Sequence, residues 1–369
     1  MVEWKKLGEV CSVHTGGQLN RDDMIEGGLY PVVNGGKEFS GYTNSYNETA
    51  NNITISQGGE SAGYVNWILS NFWAGAHCYV VEHDAKIDKR YLYHTLKNKE
   101  RDFQLSKQGA GIPGLNRNTL YKQIIPLPSL SEQARIVGIL DTFTTSIENL
   151  KEQIAERRKQ YEYYRDQLLD LEGKEGVEMK TLGEVVSKEC SLSYGIVQPG
   201  DDVPNGIPVV RPIDLVSMFV EKEGLKKTTK EISDSYKRTI LKGNEILFCV
   251  RGTTGVMSLA SEMLKDCNVT RGIVPITIDD KITKMFVYYQ LKGLRLQKTI
   301  AEKTNGTALR QINVKDLRLL SLMLPSLREQ QRIVSILDTF EASIQNLEAQ
   351  LKEREKQYEY YRNKLLTFE

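Results

Sequence analysis

Two nearly identical stretches decide the fold of this chain of 369 residues. The first is "LPSLSEQARIVGILDTFTTSIENL" (residues 127–150), and the second is "LPSLREQQRIVSILDTFEASIQNL" (residues 324–347). The similarity continues into "KQYEYYRDQLL" (159–169) and "KQYEYYRNKLL" (356–366), so that about 30 of 43 positions are identical at an offset of 197 residues. A repeat of this length predicts a duplicated unit with pseudo-twofold symmetry inside one chain.

Each repeat predicts a long helix with a coiled-coil seam. Its seam positions alternate in steps of four and three residues over about five heptads. In the first copy they are Ile136, Leu140, Phe143, Ile147, Leu150, Ile154, Arg157, Tyr161, Tyr164, Leu168 and Leu171. The helix starts match the S-x-x-E capping box, with Ser129 and Glu132 in one copy and Ser326 and Glu329 in the other.

The connection between the repeats predicts antiparallel helices. The first helix ends near Leu171 and the next domain begins near Met179. The linker spans at most about 25 Å, whereas 40 residues of helix form a rod of roughly 60 Å. The second helix must therefore run back toward the first domain.

The parts outside the helices predict two globular domains of mixed α/β structure. Short strand-like runs ("NITIS", "HCYVV", "EILFCV", "GIVPITI") alternate there with helix-like segments ("KRYLYHTLKN", "KMFVYYQLKGL"). The order is domain 1–127, helix 128–172, domain 173–324 and helix 325–369. Because the offset between matching motifs grows from about 175 to 197 residues, we expect an insertion of about 20 residues between Val210 and Ile246.

Bulk composition favours a soluble protein of the cytoplasm. No stretch approaches the roughly 18 apolar residues that span a bilayer, and the N-terminus lacks the apolar core of a signal peptide. The five cysteines show no CxxC spacing, which predicts reduced thiols and no metal site. The net charge is +1, yet residues 177–324 carry 22 basic and 17 acidic side chains, so the excess of positive charge lies in the second domain.

The repeated motifs resemble the specificity subunits of Type I restriction-modification systems. The resemblance covers essentially the whole chain, and it implies two target-recognition domains joined by two antiparallel conserved helices. It also implies that each domain reads one half of a bipartite, asymmetric double-stranded DNA site, with the helices setting the spacer. The implied partners are two methyltransferase subunits and often two motor-nuclease subunits. The subunit itself would be non-catalytic and without cofactor, since S-adenosylmethionine, ATP and Mg²⁺ belong to the partners.

Motif absences agree with a non-catalytic chain. There is no G-x-x-x-x-G-K-[ST] phosphate loop and no Asn/Asp-Pro-Pro-aromatic segment of the adenine-methyltransferase kind. One apparent exception is "GESAG" (59–63), which matches the G-x-S-x-G nucleophile motif of hydrolases. The second domain has "RGTTG" (251–255) after its own strand, without a serine, which favours a binding turn shared by both domains.

Candidate DNA-binding residues lie on polar, glycine-bearing loops, because amide, guanidinium and hydroxyl groups read bases and phosphates. Gln57 and Arg251 are expected at matching positions of the two domains, and the turns at 106–111 and 302–307 form a further pair. The candidates of the first domain are Asn34, Lys37, Tyr42, Asn44, Gln57, Ser61 and Tyr64. Those of the second domain are Arg211, Arg251, Thr253, Thr254 and Arg271.

The tyrosine-rich helix ends indicate a protein-binding surface. One interpretation is that the tyrosines only pack helix on helix. Because Tyr163 and Tyr360 lie off the seam, the other is that they face a partner subunit, which is the prediction made here. An alternative function remains open: a non-catalytic coiled-coil scaffold whose globular ends bind proteins. Neutral overall charge favours the scaffold, whereas the polar loops and the family resemblance favour DNA.

Overall fold

The computed structural model describes residues 2–107, 114–306 and 310–368. It consists of two compact units, of which the first combines Met1–Gln153 with Leu347–Glu369 and the second is Ile154–Asn346. Each unit therefore holds one variable domain, the N-terminal part of the long helix that follows it, and the C-terminal part of the other long helix.

In the residues that the structure describes, the first unit is built from nine strands and its share of the helices. Its strands are β1 (Glu3–Lys6), β2 (Cys11–Thr15), β3 (Tyr30–Val33), β4 (Gly41–Thr43), β5 (Asn52–Ser56), β6 (Val65–Ile68), β7 (Trp73–Ala74), β8 (Cys78–His83) and β9 (Ile124–Leu127). The helices that begin in it are α1 (Lys89–Asn98), α2 (Glu100–Leu105), α3 (Arg117–Tyr121) and α4 (Leu130–Leu169). Short 3-10 turns lie at Leu7–Glu9 and Arg21–Asp23.

The second unit repeats this order. Its strands are β10 (Glu178–Thr181), β11 (Ile207–Val210), β12 (Lys227–Thr228), β13 (Ile246–Cys249), β14 (Met257–Leu259), β15 (Asn268–Val269), β16 (Ile273–Ile276) and β17 (Ser321–Leu324). Its helices are α5 (Leu182–Val185), α6 (Lys230–Ser235), α7 (Lys284–Lys292), α8 (Leu294–Glu302), α9 (Val314–Arg318) and α10 (Leu327–Leu366). Its 3-10 turns are Pro212–Asp214, Lys237–Thr239 and Glu262–Leu264.

The strand pairing shows the duplication directly. The first unit has sheets β2-β8-β5-β6, β4-β3-β7 and β1-β9, and the second has β14-β13-β16, β12-β11-β15 and β10-β17. Each unit has one parallel strand pair, β3·β7 in the first and β11·β15 in the second. The other strand pairs are antiparallel. The prediction of a mixed α/β fold with an internal repeat is confirmed.

The expected insertion lies where the sequence places it. Tyr30 and Ile207 begin matching strands 177 residues apart, whereas Asn52 and Ile246 begin matching strands 194 residues apart. The extra residues form the longer connections around β12, together with α6 and the turn Lys237–Thr239.

Each domain core continues onto the seam of both long helices. In the first unit Tyr91 and Phe103 share a buried cluster with Ile136 and Leu140 of α4 and with Tyr358 of α10. The second unit has the corresponding cluster around Tyr288 and Tyr289, and it includes Tyr161, Ile333 and Leu337. Burying this apolar surface fixes each domain on the helices, at about 25 cal/mol for each Å² removed from water.

Both long helices are 40 residues long. The predicted seam positions of the first are buried or partly buried except Tyr164, which is 47% exposed. In the first unit the two helices pair antiparallel, because Phe143 stacks on Tyr361 with ring centroids 5.2 Å apart, and Lys151, eight residues later, pairs with Glu355, six residues earlier. None of the helices in the described ranges has the length and apolar character needed to cross a membrane.

Each long helix forms only one of the two hydrogen bonds of the predicted capping box, so the prediction of the complete box is wrong. The Glu132 and Glu329 backbone N–H groups do donate to the Ser129 and Ser326 hydroxyls, at 3.4 Å. The glutamate side chains, however, bind the guanidinium three residues later instead of the serine backbone, at 2.7–2.8 Å in both helices. A bidentate charged pair outcompetes a single bond to a neutral amide.

Candidate nucleic-acid interface

A glycine-bearing turn follows the matching strands β5 and β13. The Ser56 N–H donates to the Tyr64 carbonyl at 2.9 Å and the Gly63 N–H to the Ser56 carbonyl at 2.8 Å. The second unit repeats both bonds, since the Cys249 N–H donates to the Val256 carbonyl at 2.8 Å and the Gly255 N–H to the Cys249 carbonyl at 2.9 Å. The glycines at both ends of each turn have positive φ, which a side chain would strain. The shared turn is confirmed.

The matching of Gln57 with Arg251 is wrong by one residue. The Gln57 carbonyl accepts from Leu115 N–H at 2.7 Å, and the corresponding bond in the second unit, 3.0 Å from Ile312 N–H, ends on the carbonyl of Val250. Arg251 forms a β-bridge with Gln311, just as Gly58 forms a β-bridge with Gly114 in the first unit. The turn of the second unit is one residue shorter, and the position that carries Gln57 is occupied by Val250, a buried residue.

The structure brings four of the first-unit candidates together in two pairs, Asn34 with Gln57 through His77, and Lys37 with Tyr64. Asn34 accepts from the His77 N–H at 3.2 Å, and the Gln57 N–H donates to the His77 carbonyl at 3.0 Å. The Lys37 ammonium lies 5.9 Å from the centre of the Tyr64 ring. Gly35 permits the close approach, because a Cβ there would lie 2.6 Å from the His77 carbonyl oxygen.

Two first-unit candidates contact other residues. Asn44 accepts from the Leu29 N–H at 3.2 Å, and Tyr42 on β4 packs edge-on against Phe39. Both side chains are exposed. Asn34 directly follows β3, whereas Tyr42 lies on β4 and Asn44 directly follows it.

Tyr64 is held as a hydrogen-bond donor. Its ring lies 4.1 Å from the Lys97 ammonium. Burial raises the pKa of the Tyr64 hydroxyl, and the carboxylates of Glu100 and Glu38 raise it further. The hydroxyl therefore stays protonated at neutral pH. Ser61 contributes its backbone carbonyl, which accepts from the Tyr64 N–H at 2.9 Å.

The serine of "GESAG" does not form a hydrolase site with the histidines that the structure describes. None of them hydrogen-bonds to Ser61, whereas a nucleophile needs a base within hydrogen-bond reach. The turn carries Ser61 between two glycines of positive φ, Gly59 and Gly63.

In the second unit the candidates divide into anchored and free side chains. Arg211 forms a bidentate pair with Asp214, at 2.9 and 3.1 Å, so its charge is compensated within the fold. The Thr254 hydroxyl donates to the Arg310 carbonyl at 3.2 Å, and the Thr253 hydroxyl lies 3.4 Å from the Cys249 sulfur. Arg251 is partly exposed and Arg271 exposed.

Arg310 is a candidate that the sequence reasoning missed. It is exposed, and its carbonyl accepts from the Gly252 N–H at 2.9 Å, which brings it beside Arg251. The polar residues at 302–307 predict a turn, and Arg310 lies just beyond it. Residues 108–111 of the other turn, and Thr307, lie outside the described residues.

The tyrosines at the helix ends form the same exposed row in both units. Tyr163 is 60% exposed and packs edge-on against Tyr164, which stacks on Phe340 at 5.5 Å. In the first unit Tyr360 is 59% exposed, and it packs in the same way on Tyr361 and then Phe143. We call these rows the aromatic patches.

Comparison with known proteins decides the family. The family model described as "Type I restriction modification DNA specificity domain" matches residues 1–157 and again residues 174–355. The chain belongs to this family. The two matches correspond to the two copies of the repeat, and together they take in most of the chain.

Relatives in this specificity-subunit family match all or most of the chain. A putative type I restriction enzyme specificity subunit of Haemophilus influenzae is 30% identical over 391 residues, which cover 100% of this chain and 96% of the relative. The EcoBI specificity subunit of Escherichia coli is 26% identical over 300 residues, which cover 74% of this chain and 63% of the relative.

Solved structures share the fold of this specificity-subunit family. The Type I restriction-modification S subunit from M. genitalium matches with a TM-score of 0.64 at 18% identity, and the match covers 100% of this chain and 97% of that one. A chain from a structural study of complex assembly and conformational transition of the type I R-M system matches with a TM-score of 0.54, also at 18% identity, covering 99% and 97%.

Proposed function

We propose that this chain is the DNA-recognition subunit of a Type I restriction-modification complex. It would be non-catalytic and cytoplasmic, and its two target-recognition domains, residues 1–127 and 173–324, would each read one half of a bipartite, asymmetric site. The long helices in 128–172 and 325–369 would set the spacer between the halves.

One observation carries this proposal: the two units present the same backbone turn with different side chains. The turn after β5 and the turn after β13 share their hydrogen bonds and their positive-φ glycines. At the matching, partly exposed position, however, one unit has Gly58 and the other Arg251. A constant scaffold with different reading side chains is what two unlike half-sites require, since base-edge contacts specify sequence.

The partners follow from the duplicated surfaces. Two aromatic patches of the same composition suit two copies of one protein, and the family resemblance implies that this protein is a methyltransferase subunit. Tyr163 and Tyr360 would be contacts for it. Motor-nuclease subunits would join the same assembly, and S-adenosylmethionine, ATP and Mg²⁺ would be bound by the partner subunits.

The test is a genome-wide map of methylated adenines in the native host, with and without this gene. We expect one bipartite motif to lose its methylation on deletion and to regain it when the gene is restored. An unchanged map, in cells shown to express the partner methyltransferase, would overturn the proposal and favour the coiled-coil scaffold.

A further inference from the structure

Three backbone segments of the second unit lie side by side behind the turn that follows β13. The Val250 N–H donates to the Gly272 carbonyl at 2.8 Å on one side. On the other side the Gly252 N–H donates to the Arg310 carbonyl at 2.9 Å and the Ile312 N–H to the Val250 carbonyl at 3.0 Å. The segments 250–252, 271–272 and 310–312 therefore form one small, hydrogen-bonded edge.

Each of the three segments carries one arginine. Arg271 and Arg310 are exposed and Arg251 is partly exposed. Within the part of the chain that the structure describes, none of the three guanidinium groups is paired with a carboxylate. Neighbouring Arg211, in contrast, is fully engaged with Asp214. The three free guanidiniums are therefore available to a ligand.

The backbone under these arginines is held still. The Thr254 hydroxyl bonds to the Arg310 carbonyl at 3.2 Å, and the Arg271 N–H donates to the Ile196 carbonyl at 2.8 Å. Gly272 packs so closely that a Cβ there would lie 2.5 Å from Cγ of Pro212. A rigid base of this kind is what specific recognition needs.

The first unit has a matching edge, with no arginine at two of the three positions. Hydrogen bonds place Gly58 at the position of Arg251, and Ala76, next to His77, at the position of Arg271. The fold therefore does not require arginine at these positions, and the arginines are particular to the second unit.

We propose that Arg251, Arg271 and Arg310 form a guanine-reading edge, and that the half-site read by the second unit contains at least two G·C base pairs. The planar guanidinium matches the O6 and N7 acceptors of guanine in the major groove, which is the commonest specific arginine–base contact. The inference rests on the proposed function, and it adds the base chemistry that the second domain recognises.

The first experiment separates base reading from phosphate binding. Arg310→Lys and Arg251→Lys keep the positive charge but lose the guanidinium fork. In the complex assembled with its methyltransferase, we expect each variant to bind the cognate DNA roughly 10- to 100-fold more weakly and to relax the methylated motif at one position of one half-site. Lysine variants that bind and methylate like the wild type would show that the guanidinium fork is not used, and would overturn the proposal.

The second experiment changes the DNA. 7-Deazaguanine keeps base pairing but removes the N7 acceptor, and it is placed in one half-site at a time. Binding should weaken only when the half-site of the second unit is modified, with the other half-site as the matched control. Indifference to the substitution in both half-sites would refute the guanine-reading edge alone. Failure to bind any bipartite DNA, modified or not, would refute the proposed function instead.

Discussion

Glu245 is a charged residue that the fold buries in the second unit, directly before β13. It is only 3% exposed. Its carboxylate accepts from three successive backbone N–H groups, those of Lys242 at 2.6 Å and of Gly243 and Asn244 at 3.0 Å. The carboxylate thus satisfies the backbone donors of the turn that leads into β13, the strand before the guanine-reading edge.

Glu245→Ala should destabilise the second unit by about 2–4 kcal/mol, because it leaves three backbone donors without their acceptor. The measurement is hydrogen exchange of the peptide containing β13, with β5 of the first unit as the internal reference. Glu189→Ala, which removes an exposed partner of Lys242, is the control and should leave exchange unchanged. Equal protection of β13 in the wild type and in Glu245→Ala would contradict this role.

His94 is a buried titratable group of the first unit. It contacts Asp141 through Nε2 at 2.8 Å and the Tyr358 hydroxyl through Nδ1 at 2.9 Å, and so ties α1 to both long helices. Burial lowers the pKa of His94, and the bond to Asp141 opposes that shift only in part. In the second unit Tyr289 occupies the matching helix position and bonds to Asp338.

The first unit should lose stability as the pH falls below about 6.5, the usual pKa of histidine. The folded-state pKa of His94 lies below the unfolded one, so the unfolded chain takes up the proton first. All three tryptophans lie in the first unit, so their fluorescence during thermal unfolding reports on that unit alone. The midpoint temperature of unfolding should fall in the wild type when the pH is lowered from 7.5 to 5.5. It should fall much less in His94→Gln. The same pH dependence in both proteins would rule out His94 as the cause.

At the scale of elements, the aromatic patches expose large aromatic side chains toward the C-terminal ends of both long helices. The guanidinium of Arg157 lies 5.9 Å from the Phe340 ring in one patch, and that of Arg354 lies 5.7 Å from the Phe143 ring in the other. Aromatic rings next to arginine are the composition typical of protein-interface hot spots.

Tyr163→Ala with Tyr360→Ala should weaken methyltransferase binding at least about 10-fold at each copy, the loss typical of an interface hot spot. Titration calorimetry of the subunit with the isolated methyltransferase measures it. Phenylalanine at the same two positions is the matched control and should retain most of the affinity, because the ring is preserved. Unchanged binding by the alanine variant would place the docking surface elsewhere.

Sequence predicted the helices well because the heptad period persists over 40 residues and the packing uses it. Ile136, Leu140 and Tyr161 are buried at the seam as expected. The cap partner of Glu132 was wrong because Arg135 competes for the same carboxylate. The heptad period carries no information about such local competition between side chains.

The guanine-reading edge could be predicted from the sequence only in outline. Glycines after a strand indicated a turn, but its register depends on hydrogen bonds to segments far away in sequence, such as Leu115 with Gln57. This is why Gln57 and Arg251 were matched one residue out, and why Arg310, brought to the edge from the opposite end of the domain, was missed.

At the scale of the whole molecule, the duplicated chain should act as a ruler between two half-sites. Inserting four helical residues after Gln153 in α4 and after Asn346 in α10 adds roughly 6 Å of helix. We expect the spacer to lengthen by one or two base pairs, at about 3.4 Å each. The control is an insertion of four residues into the linker 172–178, which should leave the spacer length unchanged. An unaltered spacer in the helix variant would show that the helices do not set it.

The most direct test of the central claim is exchange of one variable domain. Residues 1–127 are replaced by the corresponding segment of a relative, and methylated adenines are mapped for the chimera and the wild type, after both are shown to assemble with the methyltransferase. We expect one half of the motif to change while the other half and the spacer stay the same. A motif that changes in both halves, or in neither, would contradict independent reading by the two domains.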